Sequence, residues 1–183
     1  MDFVSSRWRL LSALNAVFFS VALGVGLSAG LVFPPPVYYG EPVYVLPQFL
    51  YSNIVLMFLF IFSFNLVVAA FGVVTLPGFL FFPLSAVLLT LRAVLWGLLL
   101  GPLPSGLFLD VLPTLVLEGE AYVLAAAVGM TIGYSWLRRS ADVSRYERFK
   151  GAFKRGMSAY VLVILFLVAA AAVESATITV LRI

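Results

Sequence analysis

The chain contains no cysteine and no histidine. The first absence excludes disulfides, thiol nucleophiles and cysteine-ligated metal centres. The second removes the commonest general base, so neither a Ser-His-Asp triad nor a histidine acid-base pair can operate. Charge is scarce too: 10% of the 183 residues are charged, while 63% are hydrophobic and the mean hydropathy is +1.14. Such a composition lies well outside that of soluble domains. Carboxylates, arginine, hydroxyls and amides are the chemistry that remains. Nothing in that set calls for a metal or a cofactor. Ser20, Ser28, Ser63, Ser85 and Thr90 have no histidine or intramembrane lysine to activate them. A non-enzymatic membrane protein is therefore expected.

What is present is a series of long apolar runs. A helical span needs about 20 apolar residues, so five spans with short connections use most of this length as a single membrane domain, 1–183. The fold class expected is all-α, a polytopic transmembrane bundle. Its spans fall at about 10–33, 52–74, 79–100, 110–137 and 158–180. Pro34-Pro35-Pro36 stops the first run, and residues 34–51, rich in tyrosine and proline, read as an outer interfacial loop. Thr75-Leu76-Pro77-Gly78 reads as a turn, and Pro83 as an interruption near the start of the third span. Ala22, Gly26 and Gly30, and again Gly97 and Gly101, recur at four-residue intervals, the pattern of close helix contact.

Residues 138–157 form a basic cytoplasmic segment with Arg138, Arg139, Arg145, Arg148, Lys150, Lys154 and Arg155. Tyr146, Phe149 and Phe153 share a face within it, so it reads as an amphipathic helix on the membrane surface, held by anionic lipid. Arg7 and Arg9 lie on the same side when five spans are counted. The Lys/Arg asymmetry then places the N-terminus inside and the C-terminus outside. The net charge of +3 sits at one membrane edge and is not a nucleic-acid signature.

The fourth span carries acids where lipid would not accept them. On a 3.6-residue period Glu118, Ala121, Tyr122, Ala125, Gly129 and Gly133 share one face, and Glu120 points elsewhere. At 1.5 Å per residue, Asn65 and Arg92 fall within roughly 3 Å of mid-membrane, and Glu118 and Glu174 roughly 7–9 Å toward the outside. Asp110 lies at the outer boundary. Arg92 is thus within reach of Glu118 or Glu120, with Glu174 or a hydrated cavity left for the other acid. Two readings stand. In one, these groups fix how the helices dock. In the other, the surplus carboxylates bind a cation or relay protons.

Pro113-x4-Glu118-x2-Ala121-x3-Ala125-x3-Gly129 resembles the Pro-His-Gly-x2-Glu-x2-Ala signature of the stage II sporulation protein M family of integral membrane proteins. Asn65 with Gly72, and Gly97 with Gly101, resemble that family's second and third spans. Two departures stand out: the family's His-Gly is Thr114-Leu115 here, and its third-span asparagine is Trp96. The resemblance implies a membrane scaffold, since the namesake gathers cell-wall hydrolases during engulfment, and the family extends to prokaryotes that never sporulate, archaea among them. A role resting on that histidine cannot operate in this chain. The expectation is a scaffold or complex subunit in the cell membrane, in contact with the lipid bilayer and either self-associated or joined to another membrane protein. A small channel or transporter component is the alternative.

Overall fold

In the structure, a computed structural model that describes residues 2–33, 48–50, 53–138 and 143–181, five helices are long and apolar enough to cross a membrane. A short α1 (Asp2–Ser6) precedes α2 (Trp8–Val32), and the chain continues through α3 (Ile54–Leu80), α4 (Pro83–Leu100), α5 (Ser105–Leu137) and α6 (Arg145–Leu181). No strand occurs among the described residues. Most of the 34–51 loop lies outside the described residues, which include only a single 3₁₀ turn at Gln48–Leu50.

Local chemistry explains where the helices begin. Asn53 caps α3, its side-chain oxygen accepting from the amides of Val55 (2.9 Å) and Leu56 (3.2 Å). Pro83 opens α4 in the first turn, where its missing N–H costs nothing, and Pro104 stands just before α5. The second span does not end at the Thr75–Gly78 stretch but runs on to Leu80. From Phe64 to Thr75 it winds as a wider π-helix, and Pro77 falls in the first turn of the α-helical piece that follows. An amide there has no regular partner, so proline is accommodated. The bend comes instead at Phe81–Phe82, directly before Pro83. Basic segment and last span are likewise one continuous helix, α6, with no break near residue 157.

Helix α5 is the centre around which the others assemble. Every residue from Ala121 to Gly129 is buried, with alanine at 121, 125, 126 and 127. Small side chains allow backbones to approach, and in a bilayer such packing is a main source of helix association. Along one edge Gly129 and Gly133 meet the end of α3: a Cβ on Gly129 would lie 2.7 Å from the Thr75 carbonyl oxygen, and one on Gly133 would fall on the Gly78 carbonyl. A second close crossing joins α2 to α4. A Cβ on Gly97 would stand 2.7 Å from the Ala22 carbonyl oxygen, and Gly26 faces the Cα atoms of both Gly97 and Gly101. Gly30 closes the same seam against Gly101.

Candidate functional site

Side-chain hydroxyls add hydrogen bonds to carbonyls in and beside the wide stretch of α3. Ser85 on α4 donates to the Val74 carbonyl (2.7 Å), and the Thr75 hydroxyl lies 2.9 Å from the Ala70 carbonyl and 3.0 Å from that of Ala125 on α5. Thr75 also meets the Tyr160 hydroxyl of α6. Threonine has one proton for two carbonyls, so Tyr160 is the donor between the two hydroxyls. Three spans are thereby joined at a buried point. Thr75→Val keeps the shape, takes from the Tyr160 hydroxyl its Thr75 partner, and is expected to destabilise the bundle by about 1–2 kcal/mol. Unfolding by SDS titration from mixed micelles measures the loss, which Thr75→Ser is expected largely to restore.

Further along α5 lies the polar cluster proper. Glu118 is buried, 5% exposed, and its Oε1 accepts a 2.6 Å hydrogen bond from Asn65 Nδ2 in the wide part of α3. The Tyr122 hydroxyl, one turn beyond Glu118, donates to Asn65 Oδ1 at 2.8 Å and lies 3.4 Å from Glu118 Oε2. Arg92 Nη2 of α4 donates to that same phenolic oxygen at 2.6 Å. Tyrosine is thus the junction: it accepts from the arginine and passes its own proton to the asparagine. The expected meeting of Arg92 with Glu118 runs through this phenol. The guanidinium also lies over aromatic faces, 4.1 Å from the Tyr122 ring centre and 5.8 Å from that of Trp96. Cation–π attraction of this kind, strongest where water is excluded, adds to the hydrogen bond.

Glu174 of α6 is the second acid of the cluster, its carboxyl in electrostatic contact with Glu118 and, more weakly, with Arg92. Glu120 is turned to another helix, as its angular offset from Glu118 requires. It accepts a 3.2 Å hydrogen bond from Asn15 Nδ2 of α2. Gly119 between the two acids is also buried; a Cβ there would lie 2.8 Å from Phe19 and 2.9 Å from Phe18. The missing side chain lets α2 close over the site, where Phe18 meets Trp96 edge-on at 5.6 Å and Trp96 meets Tyr122 at 5.9 Å. Asp110 stands apart, exposed two turns before Glu118.

Each of the five spans therefore contributes a polar group: Asn15, Asn65, Arg92, the Glu118–Tyr122 segment, and Glu174. Asn15 and Tyr122 are the two that polarity and depth did not single out. A lone asparagine inside an apolar run was the available signal for the first, and the i, i+4 spacing from Glu118 for the second. The basic residues form a separate group at one end of the bundle, where Arg138, Arg145, Lys150, Lys154 and Arg155 are exposed; Arg139 lies outside the described residues. Chemically, the cluster can hold helices in register, carry a shared proton between its acids, or present oxygen ligands to a small cation. Among the described residues no group of three acids is placed to hold a metal ion.

The family model for stage II sporulation protein M matches residues 16–179, a stretch that includes every member of the polar cluster except Asn15. No curated protein and no solved structure matches the chain.

Proposed function

Because the chain belongs to the stage II sporulation protein M family, we propose that it is a non-enzymatic scaffold or subunit of a complex in the cell membrane. The observation that carries this reading is how the cluster spends its polar groups. Asn65, Tyr122 and Arg92 are engaged with one another and with Glu118 across three helices, around a central α5 whose 121–129 face is sealed. Groups engaged in this way favour one docking geometry, since each bond fixes one helix against another. A defined bundle with a wide apolar exterior suits lateral association with a second copy or another membrane protein. Topology follows the positive residues: the basic end faces the cytoplasm, and five spans then carry the C-terminus outside.

One observation favours a second reading. Glu118 and Glu174 sit side by side with Arg92 as the cation nearest them, and that leaves one negative charge to be met by a proton or a small cation. On this reading the protein is a channel or transporter component. Proteoliposomes separate the two. The scaffold reading expects proton and cation flux no faster than from empty vesicles, together with recovery from native membranes in an assembly larger than one chain. Flux that is abolished by Glu118→Gln establishes the second reading, and a solitary chain after gentle crosslinking removes the first.

A further inference from the structure

We propose that the basic end of the bundle is a docking surface for anionic phospholipid headgroups. Two segments far apart in sequence converge there. Helix α1 packs on α6 with Phe3 buried, so Arg7 and Arg9 come to the same end as Arg145, Lys150, Lys154 and Arg155. Arg138, at the end of α5, joins them, because α5 and α6 run antiparallel with Trp136 against Phe149 at 4.6 Å. These cations are exposed, and among the described side chains at this end Glu147 is the acid. Arg148 differs from the rest: its guanidinium is turned back onto the Val143 carbonyl.

The height of the cations argues for lipid over an acidic protein. Exposed aromatic side chains lie beside them at the helix ends: Trp8, Phe81, Tyr134, Trp136, Tyr146 and Phe153. Aromatics of this kind settle where hydrocarbon gives way to headgroups. Phe79 against Phe153 (6.2 Å) and Phe82 against Tyr134 (5.7 Å) tie the α3–α4 bend to the same level. Because α6 continues without a break from Arg145 into its apolar span, Arg145, Lys150, Lys154 and Arg155 are carried on one rigid helix directly before that span. A basic helix on a flexible tether would have no such register. Here the charges are fixed next to one leaflet and match an anionic headgroup layer.

The test uses the whole protein reconstituted in phosphatidylcholine bilayers doped with brominated phosphatidylglycerol or brominated phosphatidylcholine. Trp8 and Trp136 report contact through quenching. The expected result is an association constant about fivefold higher for the anionic lipid. It falls toward unity at high salt, which screens the interaction, and in the variant carrying Arg145→Gln, Lys150→Gln, Lys154→Gln and Arg155→Gln. The salt arm needs no substitution and stands even if that variant inserts poorly. Equal quenching by the two lipids overturns the proposal, as does a preference indifferent to salt. If phosphatidylglycerol shows no preference while aqueous polyglutamate shifts the tryptophan emission, the surface serves an acidic protein and the proposal fails.

Discussion

Arg92→Leu is expected to destabilise the bundle by about 3–5 kcal/mol, the cost of removing one partner from a buried charged network. Arg92 touches Tyr122 directly and is the cation nearest Glu118 and Glu174, offsetting one of their two charges. Leucine fills much of the same volume, so packing loss is small and the electrostatic imbalance dominates. Two acids then face each other with no cation beside them. Lysine is a poor substitute, since a compact ammonium cannot lie flat over the Tyr122 ring while donating to its hydroxyl. The effect should be strongly non-additive: adding Glu174→Gln to Arg92→Leu is expected to recover about 1–3 kcal/mol. SDS-titration unfolding of the four proteins of that cycle measures it. A loss below about 1 kcal/mol for Arg92→Leu, typical of ordinary intramembrane hydrogen bonds, would mean that the guanidinium is solvated in another way.

Gly97→Leu is the second substitution with a large expected cost. Its Cβ alone would stand 2.7 Å from the Ala22 carbonyl oxygen, 2.7 Å from Val25 Cβ and 2.9 Å from the Gly26 amide. Two of those three atoms are backbone, so relief requires α2 and α4 to move apart along their length. Overpacking costs about 1–3 kcal/mol where side chains alone must yield. Here the seam at Gly26, Gly30 and Gly101 opens with it, and the expectation is the top of that range or beyond. Leucine has the better helix propensity by up to about 1 kcal/mol, too little to compensate. Gly24 supplies the control. It lies on α2 two residues from Gly26 and on the opposite, outward face, with nothing within 4 Å of an added Cβ, so Gly24→Leu is expected to be neutral or slightly stabilising. Equal effects at the two positions would dissociate the α2–α4 contact from stability.

The contrast between those glycines shows what was legible in the sequence. Hydropathy marks five spans because each must hide about 20 residues' worth of backbone in hydrocarbon, a demand that no local feature overrides. Four-residue glycine spacing marks a seam, yet spacing alone does not say which helix lies opposite; Gly26 finds Gly97 and Gly101 only in three dimensions. Glu118, Asn65, Arg92 and Glu174 are conspicuous as polar groups at compatible depths. Tyr122 is not, because tyrosine in a span is ordinarily an interfacial residue, and its role as junction depends on where three other helices stand. The π-helical stretch left no mark in composition. Its sign in the sequence is indirect: Thr75, which reads as a turn residue, and Ser85 in the third span both bond to carbonyls of the widened helix. For the same reason the Thr75–Gly78 stretch, a turn by residue type, is helical.

The central position of α5 has a consequence for the order in which the protein is made. It follows three of the five described spans in the chain and is the least apolar of them. Its Glu118, Glu120 and Tyr122 find Asn65, Asn15 and Arg92 on spans that precede it, whereas Glu174 comes later in the chain. Elements emerge N-terminus first, so α2, α3 and α4 precede α5 into the bilayer. A span that enters beside waiting polar partners is spared the full expense of lipid, and the bundle cannot close until it does. Closure of the five-span bundle therefore requires α5, and chains truncated before Ser105 would lack the partners of Asn15, Asn65 and Arg92.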